Sequence, residues 1–393
     1  MTVQDTPPTG TTRRGDFAEL HRRVSDAGLL RRRPLYYAGR SAALFAALAL
    51  LLAWFVVLGA SWWQLCLAPL FAFVIGQLAL LGHDVAHHAV FAGRRATDLA
   101  GIVLGNLVVG MSYGWWVSDH NRHHAHPNRE GHDPAADSLL FARTTEQASR
   151  TRGLRRLAAR YQAELFFPLL SLQALGLLVA TCLTLTRGTV RYPALERTLA
   201  ALHYALAAAL LAVVLAPLQA LAFAVLFGAV LGVYLGCIFA PNHKGMPMTG
   251  PDAERADFLR RQVLPSRNLR AGRFVHFLFG GLGYQIEHHL FPAMPVAALR
   301  PASRIVRDYC AQVGVPYSEA GLIACFREIL RDLRAIGHSL PADPAQSAPP
   351  TRPTAPGLAR PTDPGLARPT APEPTRPTAP EPQAAPEAGA AAR

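Results

Sequence analysis

Long uncharged apolar runs alternate with short basic or histidine-bearing stretches along this sequence. Ser41 to Ala60 is apolar throughout and matches the roughly 20 residues that a helix needs to cross a bilayer. Trp62 and Trp63 follow as the far interface, and a second run returns through Leu81. Further runs extend from Leu165 to Thr186, Leu199 to Ala216 and Leu218 to Ala240. The pattern predicts an all-α integral membrane protein. Asp98 to Trp116 is apolar but broken by Gly101, Gly105, Gly110 and Gly114, which predicts an interfacial segment rather than a span. Residues 118–163 and 244–335 are polar and basic, apart from an apolar patch at Phe274 to Leu282 and an amphipathic stretch from Ala320 to Leu333.

Charge placement orients these elements. Arg13, Arg14, Arg22, Arg23, Arg31, Arg32, Arg33 and Arg40 all precede the first apolar run, which puts the N-terminus in the cytoplasm by the positive-inside rule. Arg187, Arg191 and Arg197 put the loop after the Leu165 run on the same side. That run, with Pro168 and Gln173, is then expected to be interfacial or re-entrant. About four transmembrane helices in two hairpins remain, in a multi-pass cell-membrane protein with both termini cytoplasmic. The expected division is a basic segment over 1–40, a membrane domain over 41–335 and a tail over 336–393. In the tail RPT recurs at 352, 360, 368 and 376, a low-complexity pattern expected to be disordered.

Composition narrows the class. Of 393 residues, 51% are apolar, and the net charge of +13 comes almost wholly from arginine beside the apolar runs. Without a basic patch interleaved with aromatics, that charge reads as lipid contact and not as nucleic-acid binding. The cysteines, Cys66, Cys182, Cys237, Cys310 and Cys325, show no CxxC pairing, so no disulfide framework is expected and the chemistry should face a reducing compartment. The N-terminus lacks the apolar core and cleavage site of a secretory signal.

Histidines supply the candidate chemistry. In HDVAHH, His83 and His87 stand four apart and share a helical face, with His88 about 100° round from His87. In HNRHH, His120, His123 and His124 are related as i, i+3 and i+4 and project together. QIEHH repeats that spacing, with Gln285 ahead of His288 and His289. Gln285 either binds through its carbonyl oxygen or orients a ligand. Imidazole suits iron, zinc and copper. So many imidazoles exceed what one four-coordinate zinc uses and fit two metals. Metal binding should fail as the rings protonate below their usual pKa of about 6.5. Asp84, Asp119, Asn121 and Glu287 are candidates for orienting the rings. A metal transporter is the alternative from another class, but its site would lie near the midplane between repeated halves, and neither feature is present.

The stretches HDVAHH, HNRHHAHPN, FAPNHKGMP and GGLGYQIEHHLFPAMP, in this order over roughly residues 35 to 335, resemble the boxes of the membrane fatty acid desaturase family. The QxxHH form is similar to that of front-end acyl desaturases and their bacterial relatives. The resemblance implies two iron ions, a diiron centre, on the cytoplasmic face. Its ligands would be His83, His87, His88, His120, His123, His124, His243, His288 and His289, with His243 of PNHKG matching the family's additional histidine. It implies a dioxygen-dependent oxidoreductase that removes two hydrogens from a fatty acyl chain held on a lipid or thioester. A hydroxylase or ketolase of the same superfamily is the alternative.

The N-terminal stretch is too short for a fused cytochrome-like domain, so an external donor is expected, such as a ferredoxin or a cytochrome with its reductase. Arg150, Arg152, Arg155 and Arg156 would steer an acidic carrier or bind lipid headgroups. Tyr113, Trp115 and Trp116 either line an acyl tunnel or form an interfacial belt. SRN at Ser266 to Asn268 also resembles a family pattern, in which Asn268 would help position the site, but Asn268 reads first as a surface residue, and Gly283 stands where the family often carries asparagine. His126 and His132 read as polar support, and His21, His203, His276 and His338 as structural.

Overall fold

A computed structural model describes residues 15–250 and 256–340. The first 14 residues and the repeat tail lie outside the described residues. The chain divides into one unit over Met1–Ser347 and a second over Ala348–Arg393, the latter wholly outside the description.

The described chain opens with α1 (Asp16–Asp26), whose Asp16 and Glu19 in the first turn and Arg23 in the last complement the helix dipole. A hairpin of α2 (Pro34–Leu58) and α3 (Gln64–Ala86) follows. Its turn is closed by Gln64 Nε2, which donates to the carbonyls of Phe55 and Gly59. Then α4 (Arg94–Ile102) runs into a π-helical segment (Val103–Val109) and bends by 110° into α5 (Tyr113–Ala125). Two short helices, α6 (Thr145–Ser149) and α7 (Gly153–Arg160), lead to α8 (Phe166–Leu170) and α9 (Gln173–Arg187). The long α10 (Pro193–Val214) and α11 (Pro217–His243) come next. Proline begins α2, α10 and α11, where its missing N–H would have no helical partner anyway. The remainder forms α12 (Phe258–Val263), α13 (Arg273–Leu278), α14 (Gln285–Leu290), α15 (Val296–Gln312) and α16 (Leu322–His338). Asn268–Leu269 pairs in parallel with Glu319–Ala320.

The all-α membrane architecture expected from the sequence is the one observed. Among the described residues five stretches are long and apolar enough to cross a bilayer: Pro34–Leu58, Gln64–Ala86, Phe166–Arg187, Pro193–Val214 and Pro217–His243. The run expected to be interfacial is among them, broken between α8 and α9, so length and composition give one more candidate than the four expected. Val57, Val213, Leu218 and Val225 are exposed, as lipid-facing side chains are.

Two cores frame the histidines. In the apolar bundle α3 is central: 56% of its apolar stretch is buried against 11% for α2. Leu78, Leu81 and Val85 of α3 pack with Leu231 and Leu235 of α11. The polar part has its own core, in which Leu20 and Val24 of α1 meet Leu259, Ile286, Leu290, Ala302 and Val306. Close approach in the bundle depends on small residues. A Cβ on Gly232 would lie 2.6 Å from the Leu170 carbonyl oxygen, and one on Gly236 would lie 2.6 Å from the Leu170 side chain. Gly228, one turn earlier on α11, faces open space.

Gly232→Ala should therefore lower the thermal midpoint of the purified protein in detergent, an overpacking cost of roughly 1–3 kcal/mol. Gly228→Ala should not lower it, and equal losses in the two variants would refute this packing account.

Candidate metal centre

Four chain regions bring their histidines to the junction of the two cores. His83 lies in the last turn of α3, and His87 caps that helix. Ser112 caps α5 by accepting the Trp115 N–H, and the last turns of that helix carry His120, His123 and His124. His243 ends α11. On α14, Ile286 and Leu290 are one turn apart and pack in the polar core, with His288 on the opposite side of the helix and His289 at its flank.

Ligand atoms of His83, His87, His120 and His288 lie within 4.8 Å of one another, and those of His123, His243 and His289 form a second such group. His124 stands between them. Its Nε2 is 3.1 Å from Nε2 of His120 and 3.1 Å from Nε2 of His288, and its ring stacks on His289 at 4.3 Å. His88 joins neither group. The helix stops at Ala86, and His88 takes φ of 59° at the position that usually carries glycine, its N–H on the Val85 carbonyl and the next N–H on that of Asp84. Its exposed ring has Nδ1 3.3 Å from Thr97 Oγ1. The helical extrapolation to His88 fails because the helix has already ended.

Hydrogen bonds fix the tautomers in the second group. His243 Nδ1 donates to the Pro265 carbonyl at 2.9 Å, and His289 Nδ1 donates to Gln262 Oε1 at 2.9 Å. His123 Nδ1 donates to the buried Asp133 carboxylate at 3.0 Å. Each Nε2 then presents a lone pair; that of His243 receives the Gln285 amide at 2.9 Å, yet those of His243 and His289 lie only 3.1 Å apart. Facing lone pairs repel unless a cation lies between them, so this donor set fits a metal. In the first group His83 Nδ1 lies 3.4 Å from Asp84, whose other oxygen accepts from Arg40 at 2.8 Å. His83 Nε2 is buried with no partner of its own.

Burial, followed by the charge of neighbouring imidazoles, pushes His87, His288 and His289 well below the usual histidine range. The rings are neutral at physiological pH, as ligands must be. Asp133 is pushed up by burial, but its bonds to His123 and the Asn128 N–H prevail and leave it below the usual carboxylate range. Glu287 touches no imidazole. It accepts from Asn268 and Tyr317, each at 2.7 Å, and burial pushes it up to about 7.

Of the other residues read from the sequence, Asp119 pairs with Arg122 and Asn121 is exposed. Gln285 faces the second group, with Nε2 2.9 Å from His243 Nε2. Asn268 is not a surface residue. It is buried and also accepts the Ile286 N–H, so it braces the third histidine box. At Gly283 a Cβ would meet His276 Nδ1 at 2.5 Å, and His276 stacks on Tyr284. Asp133 and Gln262 were missed: each reaches its imidazole through a fold-back with no periodic signal, although Asp133 follows His132 in a polar stretch beside the second box.

Tyr113 and Trp116 line a narrow apolar cavity with Leu78, Gly82 and Leu104, and His83 lies at its wall. Trp116 stacks on His120 at 4.4 Å. Glycine makes the room: a Cβ on Gly101 would come within 2.2 Å of the Tyr113 ring.

Comparison with known families gives one match, the family described as Fatty acid desaturase, over residues 60–321. This chain belongs to the fatty acid desaturase family. Its relatives include an Acyl-lipid (9-3)-desaturase of Physcomitrium patens, 28% identical over 82% of this chain and 63% of that protein. A Delta(5) fatty acid desaturase of Caenorhabditis elegans is 30% identical, with 77% of this chain and 69% of that protein covered. A Delta(8)-fatty-acid desaturase of Euglena gracilis is 29% identical over 61% of this chain and 60% of that protein. The chain thus spans about 60 to 70% of the length of these relatives.

Without metal, the depressed imidazoles make the stability of this chain depend on pH. Buried histidines whose pKa is depressed in the folded protein take up protons on unfolding, so stability is fully present above the unfolded pKa of about 6.5 and is lost below it. The thermal midpoint of chelator-treated protein should fall as pH is lowered from about 7.5 to 5.5, across that unfolded pKa. A flat or rising midpoint would contradict neutral buried rings.

Proposed function

We propose that this desaturase introduces a carbon–carbon double bond into a fatty acyl chain held on a lipid or a thioester, using two irons and dioxygen. The observation that carries the reading is the pair of buried imidazole groups, His83, His87, His120 and His288 beside His123, His243 and His289, in a chain of the fatty acid desaturase family. Bound irons would supply the oxygen activation that an unactivated C–H bond requires.

In this reading His83, His87, His120 and His288 hold one iron, and His123, His243 and His289 the other, with His124 between them. Asp84, Asp133, Gln262 and the Pro265 carbonyl keep the protons on Nδ1 and so leave Nε2 to bind. Trp116, stacked on His120, forms the wall between the chain and that ligand. Leu78, Leu104 and Tyr113 give the protein an apolar lining beside His83, the surroundings that an alkyl chain brought to the cluster would meet. Neutral, buried imidazoles also keep bulk water away from the reacting carbons.

The histidine-bearing cap faces the cytoplasm in this proposal, in accord with the arginines before α2. Electrons arrive from a ferredoxin or from a cytochrome with its reductase. Arg152 and Arg155 on and beside α7 are exposed and suit an acidic carrier.

Expression in a desaturase-deficient host, with total fatty acid methyl esters read by gas chromatography and mass spectrometry, tests this directly. Wild type should yield a new unsaturated acid and purify with iron. His288→Ala should lose both. His88→Gly should keep both, because it replaces a left-handed terminator with the residue that suits it. Hydroxylated or ketonic products alone from wild type would sink the desaturation reading in favour of oxygen insertion.

A further inference from the structure

Two buried side-chain amides stand beside the second group of imidazoles, and the ligand set above uses neither. Asn242 precedes His243 on α11, and Gln285 opens α14. Asn242 Nδ2 donates to the Ile238 carbonyl at 3.2 Å and to Gln285 Oε1 at 3.0 Å. Gln285 Nε2 then reaches His243 Nε2 at 2.9 Å. This chain of bonds has a direction. A main-chain carbonyl can only accept, so the Ile238 carbonyl keeps the Asn242 nitrogen on its side, and the two protons of that nitrogen serve the two acceptors. Gln285 must meet a donor with its oxygen, and its N–H is left to point at the imidazoles. Turned over, Gln285 would set Nε2 against Asn242 Nδ2, donor against donor in buried surroundings. The oxygen that a metal would need is already committed to Asn242.

A metal on His243 changes what this N–H meets. His243 Nδ1 donates to the Pro265 carbonyl, so the ring has one lone pair, on Nε2, and a metal takes it. The Gln285 N–H then loses its acceptor and faces a cation. A buried donor left without an acceptor costs roughly 1–3 kcal/mol. A small anion on the same metal relieves both problems at once. His123, His243 and His289 are three imidazoles against four in the first group, and the Nε2 of His124 reaches His120 and His288 of that first group. A metal with three protein ligands has a further position for such an anion.

We propose that Gln285 is a hydrogen-bond donor to a small anion at the second metal and not a ligand of that metal, with Asn242 as the positioning residue that holds its amide in this sense. This rests on the two-metal reading above.

The test titrates full-length enzyme, purified in detergent and loaded with ferric iron, with azide, a small anion that accepts hydrogen bonds. Binding is read from the visible absorbance, and iron per chain is measured alongside. Wild type should hold two irons and bind azide. Gln285→Met keeps the length of the side chain without its amide, and a soft thioether is a poor ligand for iron. It should keep both irons and bind azide on the order of tenfold more weakly, the loss of one hydrogen bond to a charged group. Asn242→Asp offers Gln285 an acceptor where it had a donor, so the amide turns over and azide should weaken in the same sense with Gln285 intact. Loss of one iron from Gln285→Met would identify a ligand and overturn the proposal. Azide affinity unchanged in either variant, or no azide response from iron-loaded wild type, overturns it as well. If Gln285→Met does not accumulate, Asn242→Asp decides alone, because a Gln285 that already gave its oxygen to the metal would keep its place there and leave azide affinity unchanged. Failure of the two-metal reading is recognised separately: wild type itself would then take up no iron, and the proposal falls with it.

Discussion

Imidazole nitrogens facing one another across about a hydrogen-bond length are the constraint on which this structure depends. Neutral rings whose Nδ1 protons are committed outward have only lone pairs to present inward. His243 and His289 do so at 3.1 Å, with the Gln285 amide reaching only the His243 nitrogen. Such an arrangement repels in the absence of a cation, so it must be held by structure that is already stable without it. The central position of α3 in the bundle and the separate core of the cap supply that support from two sides. Neither core contains the histidines; they occupy the seam between them.

Polar groups inside the bundle serve the same end. Gln77 of α3 donates to the Tyr234 hydroxyl of α11 and to the Leu278 carbonyl of α13, and Tyr234 donates to that same carbonyl. An unsatisfied amide in apolar surroundings is costly, so this network has one low-energy arrangement. It ties the helix that carries His83 to the helix that ends in His243, and both to the segment that precedes the third box. The glycines of the α4–α5 region act differently, by removing side chains where Tyr113 and His203 must approach.

What was legible in the sequence follows from periodicity. The apolar runs report helices because their length is set by the bilayer, and HNRHH reports a shared face because α5 stays helical through it. HDVAHH was legible only as far as His87, since nothing in its spacing signals that the helix ends and the chain turns left-handed at His88. The partners that hold the rings, Asp133, Gln262 and the Pro265 carbonyl, sit in loops or in a helix of six residues, where side-chain direction is decided by tertiary packing. Asn268 looked exposed because SRN is a polar triplet, yet its burial comes from strands that pair across 50 residues of sequence.

The third box shows why such sites resist local reading. The helix that carries it, α14, has six residues, far fewer than an isolated helix needs to be stable in water. Its position is imposed from outside: Ile286 and Leu290 are packed in the cap core, and the Ile286 N–H is held by Asn268. The Glu287 carboxyl is tied to Asn268 and Tyr317, and the His289 ring to Gln262. Two of the proposed ligands therefore come into place only when the cap is folded, whereas His83 and His243 are carried by the apolar helices α3 and α11. In the proposed centre, metal binding and cap folding would be linked, since an ion held by both parts stabilises whichever is the less stable of the two. The bundle holds its own apolar core in lipid, so the linkage falls on the cap, and the third box is the point at which the two parts become one enzyme.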